Sequence, residues 1–209
     1  MPSATVNPAA TPLNEPRSLL GTTAAVHLSG ANLASRRWTS SYKRVPEVCL
    51  AWEKATQPAS DAGIRVVHLR FGIVLSPHGG VLARRLPVFR VGMGGYLGSG
   101  RQWMSWVTLH DPIRAIEFAM ETERLSGPLN VAAPNPLTNA QFTRTLGTKL
   151  HRPTPLRVPT LLLRIGFGEM MMATILESRR VMPARLRRAG FRFEQPVLAQ
   201  ALPALVYGP

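Results

Sequence analysis

The sequence predicts an α/β fold built on a parallel sheet. Three observations carry that expectation. Short runs rich in Val, Ile and Leu alternate along the chain with amphipathic segments of helical period. Asp111-Pro112 has the chemistry of a helix start: Asp accepts from free N–H groups, and Pro in the first turn loses no bond that was needed. Thr138-Asn139-Ala140-Gln141 has the spacing of a capping box.

Residues 1–23 carry four prolines and few large apolar side chains, so they read as a disordered lead. They lack the apolar core of a signal peptide. AAVHLSGA, residues 24–31, reads as a buried strand closed by Gly30. In residues 47–62, Val48, Ala51, Trp52 and Ala55 share one helical face, and Pro58 and Gly63 close the segment. IRVVHLRFGIVL, residues 64–75, reads as a buried strand that runs into a loop. VLARRLPVFRVG follows as an amphipathic piece interrupted by Pro87. Gly92, Gly94, Gly95, Gly98 and Gly100 then crowd together, which reads as a mobile loop.

Residues 103–109 are β-prone. In the helix opened by Asp111-Pro112, Ile113, Ile116 and Met120 form the expected apolar face. LNVAA, residues 129–133, is a further strand, and residues 65–70 and 129–132 are expected to be parallel neighbours. Phe142, Leu146 and Leu150 line the next helix. An extended Pro-rich link at 153–159 leads to a Leu/Met-rich helix over 160–178 and shorter helices at 183–189 and 197–206. The expected division is a lead (1–23), an α/β domain (24–142) and a mainly helical C-terminal subdomain (143–209). That subdomain either roofs a substrate cleft or only caps the sheet.

Composition narrows the function classes. The 209 residues hold 25 Lys and Arg against 11 Asp and Glu, a net charge of +14. Most of the excess is Arg in scattered pairs such as Arg36-Arg37 and Arg187-Arg188, without the clustering of a nucleic-acid face. No stretch reaches 18 apolar residues, so neither a transmembrane helix nor a membrane partner is expected. The one cysteine, Cys49, rules out an internal disulfide and Cys-rich zinc motifs. A reducing compartment follows: cytoplasmic, with an organelle as the alternative.

Motif tests are mostly negative. The P-loop, the H-E-x-x-H zinc motif, the G-x-S-x-G nucleophile elbow and the G-x-G-x-x-G dinucleotide fingerprint are all absent from the sequence. The five histidines show no ligand spacing, so no metal site is expected. Tyr four residues before Lys, the pair that serves short-chain dehydrogenase chemistry, is absent too: Thr39, Leu50 and Thr145 stand four before the three lysines.

From residue 64 to about 193 the chain nevertheless resembles a known family. The resemblance rests on LRFGIVLSPHGGVLARRLPVFRVGMGG, GSGRQWMSWVTLHD, GPLNVAAPNPLTNAQF, HRPTPLRVP and GEMMMATILESRRVMPARLRRAGFRF, in that order. HLSGANLASRRWT, residues 27–39, extends it upstream. The family is the epimerase-like, atypical short-chain dehydrogenase/reductase group with a C-terminal domain of unassigned function. The resemblance implies an incomplete Rossmann-like sheet, NAD(P)(H) as cofactor and a small polar substrate. It places Gly30, Arg70, Phe71 and Gly72 on the cofactor and Gly98, Ser99, Arg101 and Gln102 on the substrate. It gives Asp111 the structural role of helix cap and names no catalytic residue.

Relative to the family's pattern, the glycine-rich first half and the segment with the catalytic Tyr are missing. The chain is therefore expected to be a truncated member, impaired in catalysis and weak in cofactor binding. Its exposed sheet edges call for an oligomer or a covering partner. The competing reading is a non-enzymatic basic module that binds a protein or nucleic acid through its Arg-rich C-terminal helices.

Overall fold

The computed structural model describes residues 24–29, 44–158 and 178–208. The expected 1–23 lead, the turn at Gly30 and the expected 160–178 helix therefore lie wholly or almost wholly outside the described residues.

Strands β1 (Ala24–Ser29), β2 (Arg65–Phe71) and β7 (Gly127–Val131) form a parallel sheet in the order β1-β2-β7. Leu69 lies opposite Leu28 on one side and Leu129 on the other. The expected pairing of 65–70 with 129–132 is thus present. The central strand switches partners at its end. Gly72 N–H donates to Val131 O, and one residue on Ile73 N–H donates to Ser105 O. From there β3 (Ile73–Leu75) runs parallel to β6 (Trp106–Thr108). Two further pairs complete the strands: β4 (Gly95–Leu97) parallel to β9 (Leu156–Val158), and β5 (Trp103–Met104) antiparallel to β8 (Leu137–Thr138).

Helices cover the strands: α1 (Arg44–Lys54), α2 (Gln57–Asp61), α3 (Gly80–Arg90), α4 (His110–Glu121), α5 (Asn139–Lys149), α6 (Ala184–Arg188) and α7 (Leu198–Tyr207). One apolar cluster joins β2 and β7 to α4 and α6 through Val67, Leu69, Ala115, Ala119, Leu129 and Leu186. A second joins α3, β6, α5 and α7 through Leu82, Phe89, Trp106, Phe142, Leu146 and Leu202. Fully burying each of the Val, Leu and Phe side chains contributes about 1.5–3 kcal/mol relative to exposure. No helix among the described residues is long and apolar enough to cross a membrane.

Five local expectations need correction. In α1, Trp52 is half exposed while Cys49 is buried, because the helix meets the sheet through Cys49 and Glu53, not through Ala51, Trp52 and Ala55. In α4 the buried residues are Asp111, Pro112, Ala115 and Ala119, whereas Ile113 and Met120 are half exposed. Small alanines let that helix lie close on the strands.

Pro87 does not interrupt α3, which runs to Arg90. The Pro ring is exposed, and Leu82, Leu86 and Phe89 bury one face on both sides of it. The glycine-rich segment is not simply a loop, since Gly95–Leu97 pairs with β9. Gly95 has Leu156 O only 2.5 Å from where a Cβ would sit, so the close strand approach requires glycine there. Finally, Asp111 does not cap its own helix; its carboxylate accepts from the N–H groups of Glu194 and Gln195, at 2.9 and 3.2 Å. The capping box forms as expected: Gln141 N–H donates to Thr138 Oγ1 and Thr138 N–H donates to Gln141 Oε1.

The second core contains a cation. Arg85 is 8% exposed and lies between the Phe89 and Phe142 rings, 5.3 and 5.2 Å from their centroids. Its Nη2 donates to Gly95 O and Thr143 Oγ1, at 3.1 and 3.0 Å, while Nη1 has no hydrogen-bond partner among the described residues. Burial pushes its pKa down from the usual guanidinium range to about 10. At neutral pH the charge is retained and opposes folding. Unfolding restores the ordinary, higher value, so this group adds stability as pH rises above about 10; below that its penalty is constant. We expect Arg85→Met to be neutral or stabilising by about 1–3 kcal/mol at pH 7.5, as for apolar replacements of other buried charges. The advantage should shrink above pH 10. Urea unfolding of parent and variant at the two pH values checks both points.

Candidate active-site region at the carboxyl ends of the strands

Ligands of open parallel sheets bind beyond the carboxyl ends of the strands, where loops converge. The end of β2 carries Arg70, Phe71 and Gly72. The Arg70 guanidinium is paired with Glu53 of α1: Nε and Nη2 donate to Oε1 and Oε2, both at 2.7 Å. The pair is partly buried, with side chains 19% and 16% exposed. The hydrogen bond to Glu53 raises the Arg70 pKa further, so the charge is permanent.

Cys49, one helical turn before Glu53, lies in the same electrostatic environment. Burial and then Glu53 push its thiol pKa up, while Arg70 and Arg179 pull it down. The net rise keeps the thiol protonated at neutral pH, which argues against a nucleophile.

Phe71 packs partly buried against the first core. Gly72 is required by packing: a Cβ there would sit 2.6 Å from Ser105 O and 3.2 Å from Ala132 Cβ. Both contacts belong to the segments that flank the partner switch, so a side chain would force the strands apart.

The 98–102 group is held by a lattice of hydrogen bonds. Gly98 N–H donates to Val158 O, and Arg157 Nε donates to Gly98 O at 2.9 Å. Asn139 Oδ1 accepts from Leu97 N–H at 2.8 Å, and the N–H groups of Asn139 and Ala140 donate to Gln102 O and Gly100 O. Gln102 is 6% exposed and its Nε2 donates to Leu97 O, so its amide is committed to the loop itself. Ser99 and Arg101 are exposed.

The two groups meet through the chain. Gln102 leads into β5 and Ser105, whose backbone oxygen receives Ile73 N–H next to Gly72. The 178–181 segment crosses here as well. Arg179 N–H donates to Trp103 O, Ser105 Oγ donates to Arg179 O and accepts from Val181 N–H, and Arg180 lies 4.8 Å over the Trp103 ring.

Sequence reasoning missed Glu53, Ser105 and Asn139. Only Asn139 had a signal, its place within the capping box. Among the described residues no group of three or more His, Cys, Asp or Glu side chains offers a metal site.

Comparison with known proteins places this geometry. Residues 158–205 match the domain of unknown function DUF1731. The chain is 36% identical over 240 aligned residues to an epimerase family protein of Mycobacterium bovis, covering 90% of this chain and 80% of that protein. An epimerase family protein of Staphylococcus aureus is 37% identical over 174 residues, covering 81% and 58% of the two chains. Among solved structures, the human epimerase family protein SDR39U1 (isoform 2), crystallised with NADPH, superposes with a TM-score of 0.79 at 28% identity. It covers 92% of this chain and 68% of its own. The parallel sheet and these relatives agree: the chain belongs to the epimerase family, the epimerase-like branch of the atypical short-chain dehydrogenases/reductases that carries DUF1731.

Proposed function

We propose that the chain carries the nicotinamide-facing and substrate-facing part of an NAD(P)(H)-dependent oxidoreductase or epimerase site for a small polar substrate, and that catalysis by these 209 residues alone is impaired. The NADPH complex of the human relative and the sugar-nucleotide epimerases that share the fold support the cofactor and substrate classes. Phe71 and Gly72 would meet the nicotinamide end, with Arg70 held in place by Glu53. Gly98, Ser99 and Arg101 would meet the substrate, with Gln102 shaping their loop. Residues 143–209 would form a C-terminal lobe beside the cleft, a reading supported by the path of 178–181 along β5.

The observation that carries the impairment is the absence of a Tyr four residues before any of the three lysines. Without that pair, the proton that accompanies hydride transfer lacks the acid/base group that short-chain dehydrogenase chemistry uses. The residues fit the cofactor only in part. A dinucleotide takes much of its affinity from pyrophosphate on backbone N–H groups at a helix N-terminus. At α5 those groups already serve Gln102 O, Gly100 O and Thr138 Oγ1, and the glycine fingerprint does not occur in the sequence.

Titration of the chain with NADPH and NADH, by calorimetry or fluorescence, tests the reading. The expected dissociation constant is no tighter than roughly millimolar, about −4 kcal/mol, against about −8 kcal/mol for a micromolar site. Saturable low-micromolar binding that survives about 150–200 mM salt would overturn it, because screened attraction to a basic protein fades there.

A further inference from the structure

We propose that the flank built from α3, β4, β9 and the end of α5 is a docking surface for an anionic phospholipid bilayer. The inference is independent of the dinucleotide reading. It begins with a sequence asymmetry: residues 62–110 and 124–168 contain no Asp or Glu. Those two stretches supply β2 through β6, α3, β7 through β9 and α5. The carboxylates of the described residues lie on α1, α2, α4, the turn after α4, and at Glu194. Among the described residues, folding therefore leaves one flank with cations and no acid of its own. Arg90 and Arg152 are exposed there, and Arg144 is exposed on α5.

Among those cations stand aliphatic side chains that the fold leaves in water. Val88 is 48% exposed, Val91 70%, Met93 61% and Leu156 45%. They adjoin one another. Met93 N–H donates to Val88 O at the end of α3, and Leu156 pairs with Gly95 in the β4–β9 ladder. Arg152 Nε donates to Arg90 O at 2.9 Å, which sets two cations beside Val91.

Charge complementarity selects an anionic partner, and the aliphatic tips select lipid among anions. A bilayer interface rewards both features, since headgroup potential attracts the cations and the acyl boundary takes the apolar tips. A nucleic acid gains nothing from four half-exposed aliphatic side chains, having no apolar layer to receive them. A second copy would set this cationic flank against another of the same sign. Docking of this kind is peripheral and needs no spanning helix.

The test is co-sedimentation of the full chain with vesicles of phosphatidylcholine containing roughly 30 mol% phosphatidylserine, and with pure phosphatidylcholine vesicles, at about 150 mM salt. Binding to the anionic vesicles alone is expected. Each cation near the surface is worth roughly fivefold, so Arg90→Ala/Arg152→Ala should weaken binding about 30-fold. Val91→Asp/Met93→Asp should weaken it at least as much. Arg187→Ala/Arg188→Ala on α6 removes the same charge elsewhere and should change affinity less than about twofold, because the Debye length is only about 8 Å. Thermal unfolding midpoints identify any variant that fails to fold; the single substitution Val91→Ser then replaces it.

Three results would overturn the proposal. One is no binding to the anionic vesicles. Another is equal weakening by the α6 pair. The third is unchanged vesicle binding by the aliphatic variants together with tight capture of a single-stranded RNA oligonucleotide, which would make the flank a polyanion surface.

Discussion

Asp111→Ala is expected to destabilise the protein by about 3 kcal/mol, and by up to about 5 kcal/mol if the 190–195 segment cannot rearrange. The carboxylate is fully buried. It accepts the N–H groups of Glu194 and Gln195, and Arg114 Nη1 lies 3.5 Å from Oδ1. Removing it leaves two N–H donors without an acceptor, each at a cost of about 1–3 kcal/mol. Arg114 remains tied to Glu194 Oε1 at 3.1 Å and to Arg192 O at 3.0 Å, so the segment should loosen and not detach. Asn at this position keeps one acceptor oxygen but turns an N–H₂ toward other donors; a loss of roughly half is expected. Urea unfolding measures the loss, and faster proteolysis near Phe193 would locate it. A change under about 0.5 kcal/mol for Ala would refute this role of the carboxylate.

Phe142→Ala should cost about 3–5 kcal/mol, the usual range for emptying a fully buried aromatic site. The ring is 0% exposed in the second core and forms one wall of the Arg85 slot. A cavity there would also admit water to the guanidinium, which relieves part of the burial penalty on the charge. The two sites should therefore couple. Arg85→Met ought to behave differently in the Phe142→Ala background, with an interaction energy of about 1 kcal/mol or more in a double-mutant cycle. Simple additivity of the two changes in unfolding free energy would show that the ring and the cation act separately.

These expectations draw on features that the sequence showed unequally. The strands of the three-stranded sheet were legible because Val67, Leu69, Leu129 and Val131 are β-prone and buried, so composition and environment agree. The capping box at Thr138 was legible because its chemistry is local. The inner face of α4 was not. Hydrophobic periodicity points to Ile113 and Met120, yet close packing on strands selects the small Ala115 and Ala119. Pro87 misled for a related reason: tertiary burial of Leu86 and Phe89 outweighs the hydrogen bond that the Pro removes.

The candidate site was legible only as a set of positions. Arg70 and Phe71 close β2 and Gly72 follows them. That Arg70 is bound by Glu53, and that Gln102 turns inward, depends on contacts across many residues that no local pattern encodes. The same holds for Asp111, whose backbone N–H partners lie more than 80 residues away.

The wiring of the three-stranded sheet has a kinetic consequence. Every pairing in it is parallel, with partners separated by about 40 residues for β1–β2 and about 60 for β2–β7. Parallel neighbours cannot be closed by a tight hairpin, so each ladder must wait until a long loop has been closed against its entropy. Helices such as α5, with its capping box, can form early and locally. The sheet that they cover must assemble late, over milliseconds to seconds by the usual dependence on contact order. During that interval the apolar strands, β2 above all, are exposed to other chains. Refolding yield should therefore fall as protein concentration rises, well before the folded protein shows any tendency to associate.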